Sequence, residues 1–222
     1  MPQDNPPKPS SPHSHSALMA QLEAGVRALA LELSAATLQR LMDYQAELEK
    51  WNAAFNLTAV RRPSDMVTRH LLDSLAVLPL IPYGRVLDVG AGAGLPGLVL
   101  AIARPELQVT VLDSNGKKAR FMRHAVRTLA LANVEVAEAR VEEWQAPPYD
   151  FIVSRAFAAL ADFVAATGPL LAPGGQWLAM KGKLDAAELA AVPAAIKIRE
   201  TRRLQVPNLG EERHVVIAVP TS

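Results

Sequence analysis

Cysteine is absent from the 222 residues. That excludes disulfides, thiolate zinc sites, iron–sulfur clusters and a cysteine nucleophile, and it fits a reducing compartment. Aromatic residues make up only 5% of the chain, too few for a base-stacking platform as the main means of recognition. No run of eighteen apolar residues occurs, so no membrane span is expected. The first residues, Met1-Pro2-Gln3-Asp4-Asn5-Pro6-Pro7, have neither the basic start nor the apolar stretch of a secretory signal, so a cytoplasmic location is expected. The net charge is +1, and any nucleic-acid partner must therefore be met by a local basic patch. Hydrophobic residues, in contrast, make up 50%, enough for a sizeable core.

Residues 1–16 are Pro, Ser, His and Asn with almost nothing to bury, which predicts a disordered tail. His13 and His15 are possible metal ligands, but ordering a tail costs about 1–2 kcal/mol per residue, and no metal site is expected. Residues 17–80 read as an all-helical cap. Leu38, Leu41, Met42, Leu48 and Phe55 recur at helical steps, Ser34 is a candidate N-cap between two helices, and Pro63-Ser64-Asp65 opens a further helix reaching about Leu78.

At Arg85 the pattern changes. Short apolar strands at Val86–Val89, Val109–Leu112, Val134–Val136, Phe151–Val153 and Trp177–Met180 are separated by helical stretches at Gly97–Ala103 and Lys117–Leu131. Alternation of this kind predicts a parallel sheet with both faces covered. Two further strands, Lys197–Val206 and His214–Val219, are joined by Pro207-Asn208-Leu209-Gly210 and read as an antiparallel hairpin at one edge. Residues 81–222 thus form an α/β domain.

The most informative stretch is Asp88-Val89-Gly90-Ala91-Gly92-Ala93-Gly94-Leu95-Pro96-Gly97. Its glycines allow a tight turn and close approach of a ligand, and it empties into a helix N-terminus. The run from Gly92 to Gly97 fits a dinucleotide fingerprint, with Asp113 nineteen residues after Gly94. Asp88, however, stands where a pyrophosphate would lie. A carboxylate there repels a dianion and suits a cofactor carrying an ammonium and a sulfonium, which S-adenosylmethionine does. Asp113, ending the second strand, is placed to accept from both ribose hydroxyls; the alternative is a helix cap at Asn115-Gly116-Lys117. Pro147-Pro148-Tyr149 is similar to the motif of amino-group methyltransferases, but it precedes the fourth strand instead of coming after it. The residues after that strand are Ser154-Arg155-Ala156-Phe157, and arginine cannot accept a proton.

Several blocks together carry a family likeness: Trp51 to Arg61, Arg69-His70-Leu71-Leu72-Asp73-Ser74, Val86 to Gly97, Leu112-Asp113-Ser114 with Gly116-Lys117-Lys118, Ser154 to Phe157, Lys181-Gly182 and Glu212-Arg213-His214. In this order, over residues 20–220, the chain resembles the RsmG (GidB) family of bacterial 16S ribosomal RNA guanine-N7 methyltransferases. The long Pro-Ser tail and the second glutamate of Glu211-Glu212-Arg213 are minor departures. The resemblance implies a Rossmann-like, seven-stranded class I S-adenosylmethionine-dependent methyltransferase fold with an N-terminal helical extension. It implies cofactor contacts at Gly90, Leu95, Val141, Glu142 and Arg155, to which the loop chemistry adds Asp88, Gly92 and Asp113. The implied substrate is 16S ribosomal RNA or a small-subunit particle, and the implied acceptor the position-527 guanine of the decoding-region loop. A small-molecule methyltransferase and a nicotinamide-dependent dehydrogenase are the alternatives.

Guanine N7 carries a lone pair and no proton, so no general base is required and no catalytic nucleophile is named. His70 and His214 are read as substrate contacts or structural hydrogen-bond partners. The basic residues Arg61, Arg69, Lys117, Arg120, Arg123, Lys181 and Arg213 are candidate RNA contacts, with Arg62, Arg127, Arg202 and Arg203 able to join them. On the helix after Asn115, Lys117, Arg120, His124 and Arg127 share a stripe. Asn52 and Asn56 are candidates for hydrogen bonds to base edges. The protein is expected to act as a monomer.

Overall fold

The computed structural model describes residues 14–157 and 159–221. The predicted tail lies outside them as far as residue 13. Residues 15 and 16 are helix instead, and Ser14 is the N-cap of α1 (His15–Ala28), accepting from Ala17 N–H. Ser34 caps α2 (Ala35–Phe55) in the same way through Thr37 N–H. Next come α3 (Pro63–Met66), a π-helical turn at Val67–Leu72 and α4 (Asp73–Leu75), which together form one helical run. π-helical turns occur often at functional sites, and this one carries Arg69 and His70.

The α/β part runs β1 (Arg85–Val89), α5 (Gly97–Ala103), β2 (Gln108–Leu112), α6 (Gly116–Thr128), β3 (Val134–Ala137), β4 (Tyr149–Ser154), α7 (Leu160–Thr167), β5 (Leu171–Lys181), α8 (Ala186–Ala190), β6 (Ile196–Arg203) and β7 (His214–Pro220). The sheet has seven strands in the order β3-β2-β1-β4-β5-β7-β6. The first five strands in sequence pair in parallel; β7 lies antiparallel to β5, and β6 antiparallel to β7. Residues 173–175, expected to precede the fifth strand, lie within it, and the pairing with β4 shifts register there. α6 stops three residues before the predicted Leu131, and β6 three before Val206.

The cap and sheet share one core. Leu22, Leu41 and Leu48 of the cap are fully buried in the same cluster as Leu98, Val111 and Phe121. Burial of each such leucine is worth about 1.5–3 kcal/mol, so the cap is docked by packing as firmly as the helices of the sheet. Among the described residues no helix is long and apolar enough to cross a membrane.

Candidate active site

β2 lies on one side of β1 and β4 on the other, and a crevice opens where these connections diverge, at the C-terminal strand ends. The glycine loop occupies it. Gly90 N–H and Ala91 N–H both donate to Leu112 O, at 2.8 and 3.0 Å, and Gly92 N–H donates to Asp113 Oδ2 at 2.8 Å. Gly90 has φ +69°, and a Cβ there would lie 2.6 Å from the Ala156 Cβ. At the start of α5, Gly97 gives its N–H to Asp88 Oδ2 at 2.7 Å. A Cβ at Gly97 would sit 2.5 Å from Val111 Cγ1. From behind, the Tyr44 hydroxyl of α2 donates to Ala93 O at 2.7 Å; burial pushes its pKa up and keeps it a donor. The cap therefore holds the loop in place. Tyr44 gave no sequence signal, since a tyrosine in an amphipathic helix reads as core.

Seven of the eight predicted cofactor residues line two adjoining cavities of about 210 Å³ each. Gly90, Asp113, Val141 and Glu142 line one; Gly90, Gly92, Leu95 and Arg155 line the other, with Leu57, Thr58 and His70. Gly90 and Ala156 are common to both, so the two meet at the loop.

One carboxylate is placed differently from expectation, and a second has partners that the sequence did not show. Asp88 lines neither cavity. It is fully buried behind the loop, where Oδ1 has no hydrogen-bond partner. Burial raises its pKa to about 7, against the opposing pull of the Gly97 N–H and the Arg155 charge. Asp113 does line the first cavity but is already engaged: Oδ2 takes Gly92 N–H and lies 3.4 Å from Lys118 Nζ, and Oδ1 takes Asn115 N–H at 2.9 Å. Its main work is to tie the loop to the end of β2, and Asn115 is the cap of α6. The exposed carboxylate at this cavity is Glu142.

The other end of the crevice is cationic. A third cavity, about 250 Å³, is lined by Asp73, Arg155, Met180, Lys181, Gly182 and Arg213. Asp73 is buried. Arg213 Nε donates to its Oδ1 at 3.2 Å, and Arg155 Nη1 lies 3.4 Å from Oδ2. Burial raises the Asp73 pKa, while Arg155 and Arg213 pull the other way. Ser154 sets the turn that presents Arg155, donating to Val89 O and accepting from Ala156 N–H. Lys181 Nζ reaches Phe157 O at 2.9 Å and Glu188 Oε1 at 2.7 Å. His214 Nδ1–H donates to Gly182 O at 2.8 Å. Lys181, His214 and Arg203 stand in one row across β5, β7 and β6. Asp73 and Thr58 stood inside family-like blocks, yet nothing marked them as site residues.

Asn52, expected at a base edge, is buried instead. Its Nδ2 donates to Val60 O at 3.1 Å and its Oδ1 accepts from Thr58 N–H at 2.9 Å, which pins the loop after α2. Asn56 is that helix's left-handed C-cap (φ 52°), exposed, and accepts from Arg61 at 2.6 Å. His70 is buried, with Nε2 3.0 Å from Thr58 Oγ1 and Nδ1 without a partner. Burial and the nearby Arg155 charge lower its pKa to about 4, so the ring is neutral at physiological pH. Arg69 is held by Glu211, at 2.7 Å.

The α6 stripe divides. Lys117 and Arg120 are exposed in the first turns of α6. Arg123 is paired with Glu138 at 2.7 Å. His124 is docked on the cap, 2.6 Å from Glu47 and stacked beside Trp51 at 4.9 Å between centroids. Burial on the cap side removes it from the exposed stripe.

This sheet order, with a glycine loop at the switch point and a carboxylate ending β1 and another after β2, defines the class I S-adenosylmethionine-dependent methyltransferases. Solved structures agree at the level of the fold. TrmN from Thermus thermophilus superposes with a TM-score of 0.56 at 22% identity, over 70% of this chain and 53% of that one. An S-adenosylmethionine-dependent methyltransferase from Aquifex aeolicus gives 0.53 at 20%, over 68% and 91%. Residues 37–216 match the family described as rRNA small subunit methyltransferase G, GidB. The chain is 56% identical over 194 residues, 87% of its length and 93% of the relative's, to the ribosomal RNA small subunit methyltransferase G of Chromohalobacter salexigens. It is 52% identical to that of Methylobacillus flagellatus, over 88% and 95%. The chain belongs to the rRNA small subunit methyltransferase G family, and its cofactor is S-adenosylmethionine.

The residues present fit that cofactor. The cradle at Gly90 would be closed by a Cβ. Val141 offers an apolar wall and Glu142 an acceptor at one end, and Asp88 Oδ1 is unpartnered behind the loop, where a bound cation would favour its ionised form.

Proposed function

We propose that the protein transfers the methyl group of S-adenosylmethionine to N7 of a single guanine in small-subunit (16S) ribosomal RNA, the position-527 guanine of the decoding-region loop. The observation that supports this best is the composition of the acceptor end. Arg155, Lys181 and Arg213 are cations, Asp73 is buried against two of them, and His70 is neutral with its pKa near 4. The three cations cannot accept a proton, and both Asp73 oxygens face arginines; guanine N7 needs no base, because it attacks with a lone pair.

When bound, S-adenosylmethionine supplies an electrophilic methyl carbon on a charged sulfur. The chain's own task is placement. Gly90 to Leu95 and the Val141–Glu142 turn hold the cofactor, with Arg155 shared by the second cavity and the third. Holding the acceptor in line is worth effective molarities of about 10⁵–10⁸ M. Lys117, Arg120 and Arg203, exposed on α6 and β6, are the candidate phosphate contacts, which position RNA without reading its sequence. This substrate puts the protein in the cytoplasm.

The test is genetic. Deleting the gene and mapping N7-methylguanine in small-subunit RNA by borohydride–aniline cleavage should remove one cleavage site, at the position-527 guanine. Wild type should restore it and Gly90→Asp should not. An unchanged pattern in cells that had expressed the protein would overturn the reading and favour a small-molecule acceptor.

A further inference from the structure

Two arginine-lined depressions lie on either side of one carboxylate. Arg61, Arg62 and Arg69 line a bowl of about 410 Å³ at the loop after α2. Arg155, Lys181 and Arg213 line the third cavity, at the acceptor end. Between them, on the loop joining β6 and β7, stands Glu211. It accepts from Arg69 through both oxygens, at 2.7 and 3.2 Å, and Oε2 also accepts from Arg213 at 3.4 Å. The two arginines hold its carboxylate below the usual range. A planar fork gripping an oxyanion is how arginine takes phosphate.

We propose that the Arg69–Arg213 fork is an RNA phosphodiester site and that Glu211 is its resident internal anion, displaced when the strand docks. The proposal rests on the reading of RNA as substrate and adds a regulated contact to it. The displacement is easy. Arg69 and Glu211 are 39% and 51% exposed, and exposed ion pairs hold weakly. A strand crossing from the bowl to the third cavity passes the fork, and its phosphate takes over both guanidinium groups as Glu211 swings into water. Because one anion replaces another, the fork adds little to affinity for arbitrary RNA. It engages fully only when the rest of the strand is seated.

The neighbouring Glu212 provides the control. It has the same charge on the same loop, yet Arg213 uses only its backbone carbonyl. Wild type, Glu211→Gln, Glu212→Gln and Glu211→Gln/Arg69→Ala would be titrated with a single-stranded oligoribonucleotide and with unmethylated small-subunit particles over a range of salt. Glu211→Gln should bind the oligoribonucleotide up to about fivefold more tightly, the most that an exposed ion pair withholds, and its salt slope should steepen by about 0.7 for one added phosphate. Glu212→Gln should change affinity less than Glu211→Gln and leave the slope alone, and Arg69→Ala should cancel the gain. Equal effects of the two glutamine variants would reduce Glu211 to general electrostatics; unchanged or weaker binding by Glu211→Gln would make it a clip for the loop. Either result overturns the proposal without touching the methylation map. Loss of the methylation assignment with the Glu211→Gln gain intact would leave the phosphate fork standing and overturn only its assigned acceptor.

Discussion

The two ends of the crevice are built from different materials. At the loop end the surface is main chain and small side chains: Gly90, Gly92 and Ala156, with Asp88 and Asp113 bonding backbone N–H groups. At the acceptor end it is long cationic side chains around one buried carboxylate. Main chain locked at this density cannot adjust, so it suits a ligand of fixed shape. Arginines and lysines can swing, which suits a strand that must enter and leave. The difference predicts steep, local sensitivity at the first end and graded, salt-dependent sensitivity at the second.

The largest effect is expected at Gly90. A side chain there meets both a left-handed backbone, costing about 1–2 kcal/mol, and a 2.6 Å overlap with Ala156, whose relief costs about 1–3 kcal/mol more. Gly90→Asp should therefore weaken S-adenosylhomocysteine binding, read by calorimetry, on the order of a hundredfold. An affinity within threefold of wild type would mean that the loop is softer than its hydrogen bonds indicate.

The loop end was legible in the sequence because its function lies in backbone conformation, and glycine spacing reports backbone conformation directly. The same holds for the five parallel strands, whose apolar runs reflect burial on both faces. Among the charged side chains the residue types were visible but their partners were not. Arg69, Arg123 and His124 look alike in a sequence, yet each is bound to a carboxylate far along the chain, Glu211, Glu138 and Glu47. Asn52 shows the same limit from the other side. An amide suited to a base edge is equally suited to two backbone groups, and only the fold decides which it meets. α7 and α8 were missed for a third reason: at eight and five residues they are too short to show a helical period.

Asn52 separates stability from binding, because it lines neither end of the crevice. Asn52→Ala leaves Thr58 N–H and Val60 O without their partner. A buried group left unpaired costs about 1–3 kcal/mol and these two are only part-buried, so urea denaturation should show a loss of about 1–3 kcal/mol in total. A stable variant with impaired RNA methylation would restore the base-contact role that burial argues against.

A pH dependence separates the buried acid behind the loop from the buried histidine beside Arg155. Asp88 has its pKa raised from 3.8 to about 7, chiefly by burial, so its contribution to stability is complete below the unfolded value and is lost as pH rises toward 7. His70 has its pKa lowered from 6.5 to about 4, again chiefly by burial; its contribution is complete above 6.5 and is lost as pH falls toward 4. Between these limits the two slopes oppose each other, each about 1.4 kcal/mol per pH unit. Asp88→Asn keeps an acceptor for Gly97 N–H and removes only the titration. Relative to wild type it should lose about 1.4 kcal/mol for each unit of acidification from pH 6.5 to 4.5, measured as unfolding free energy in urea. Parallel pH profiles for the two proteins would show that Asp88 is ionised throughout, and that the loop's hydrogen bonds outweigh its burial.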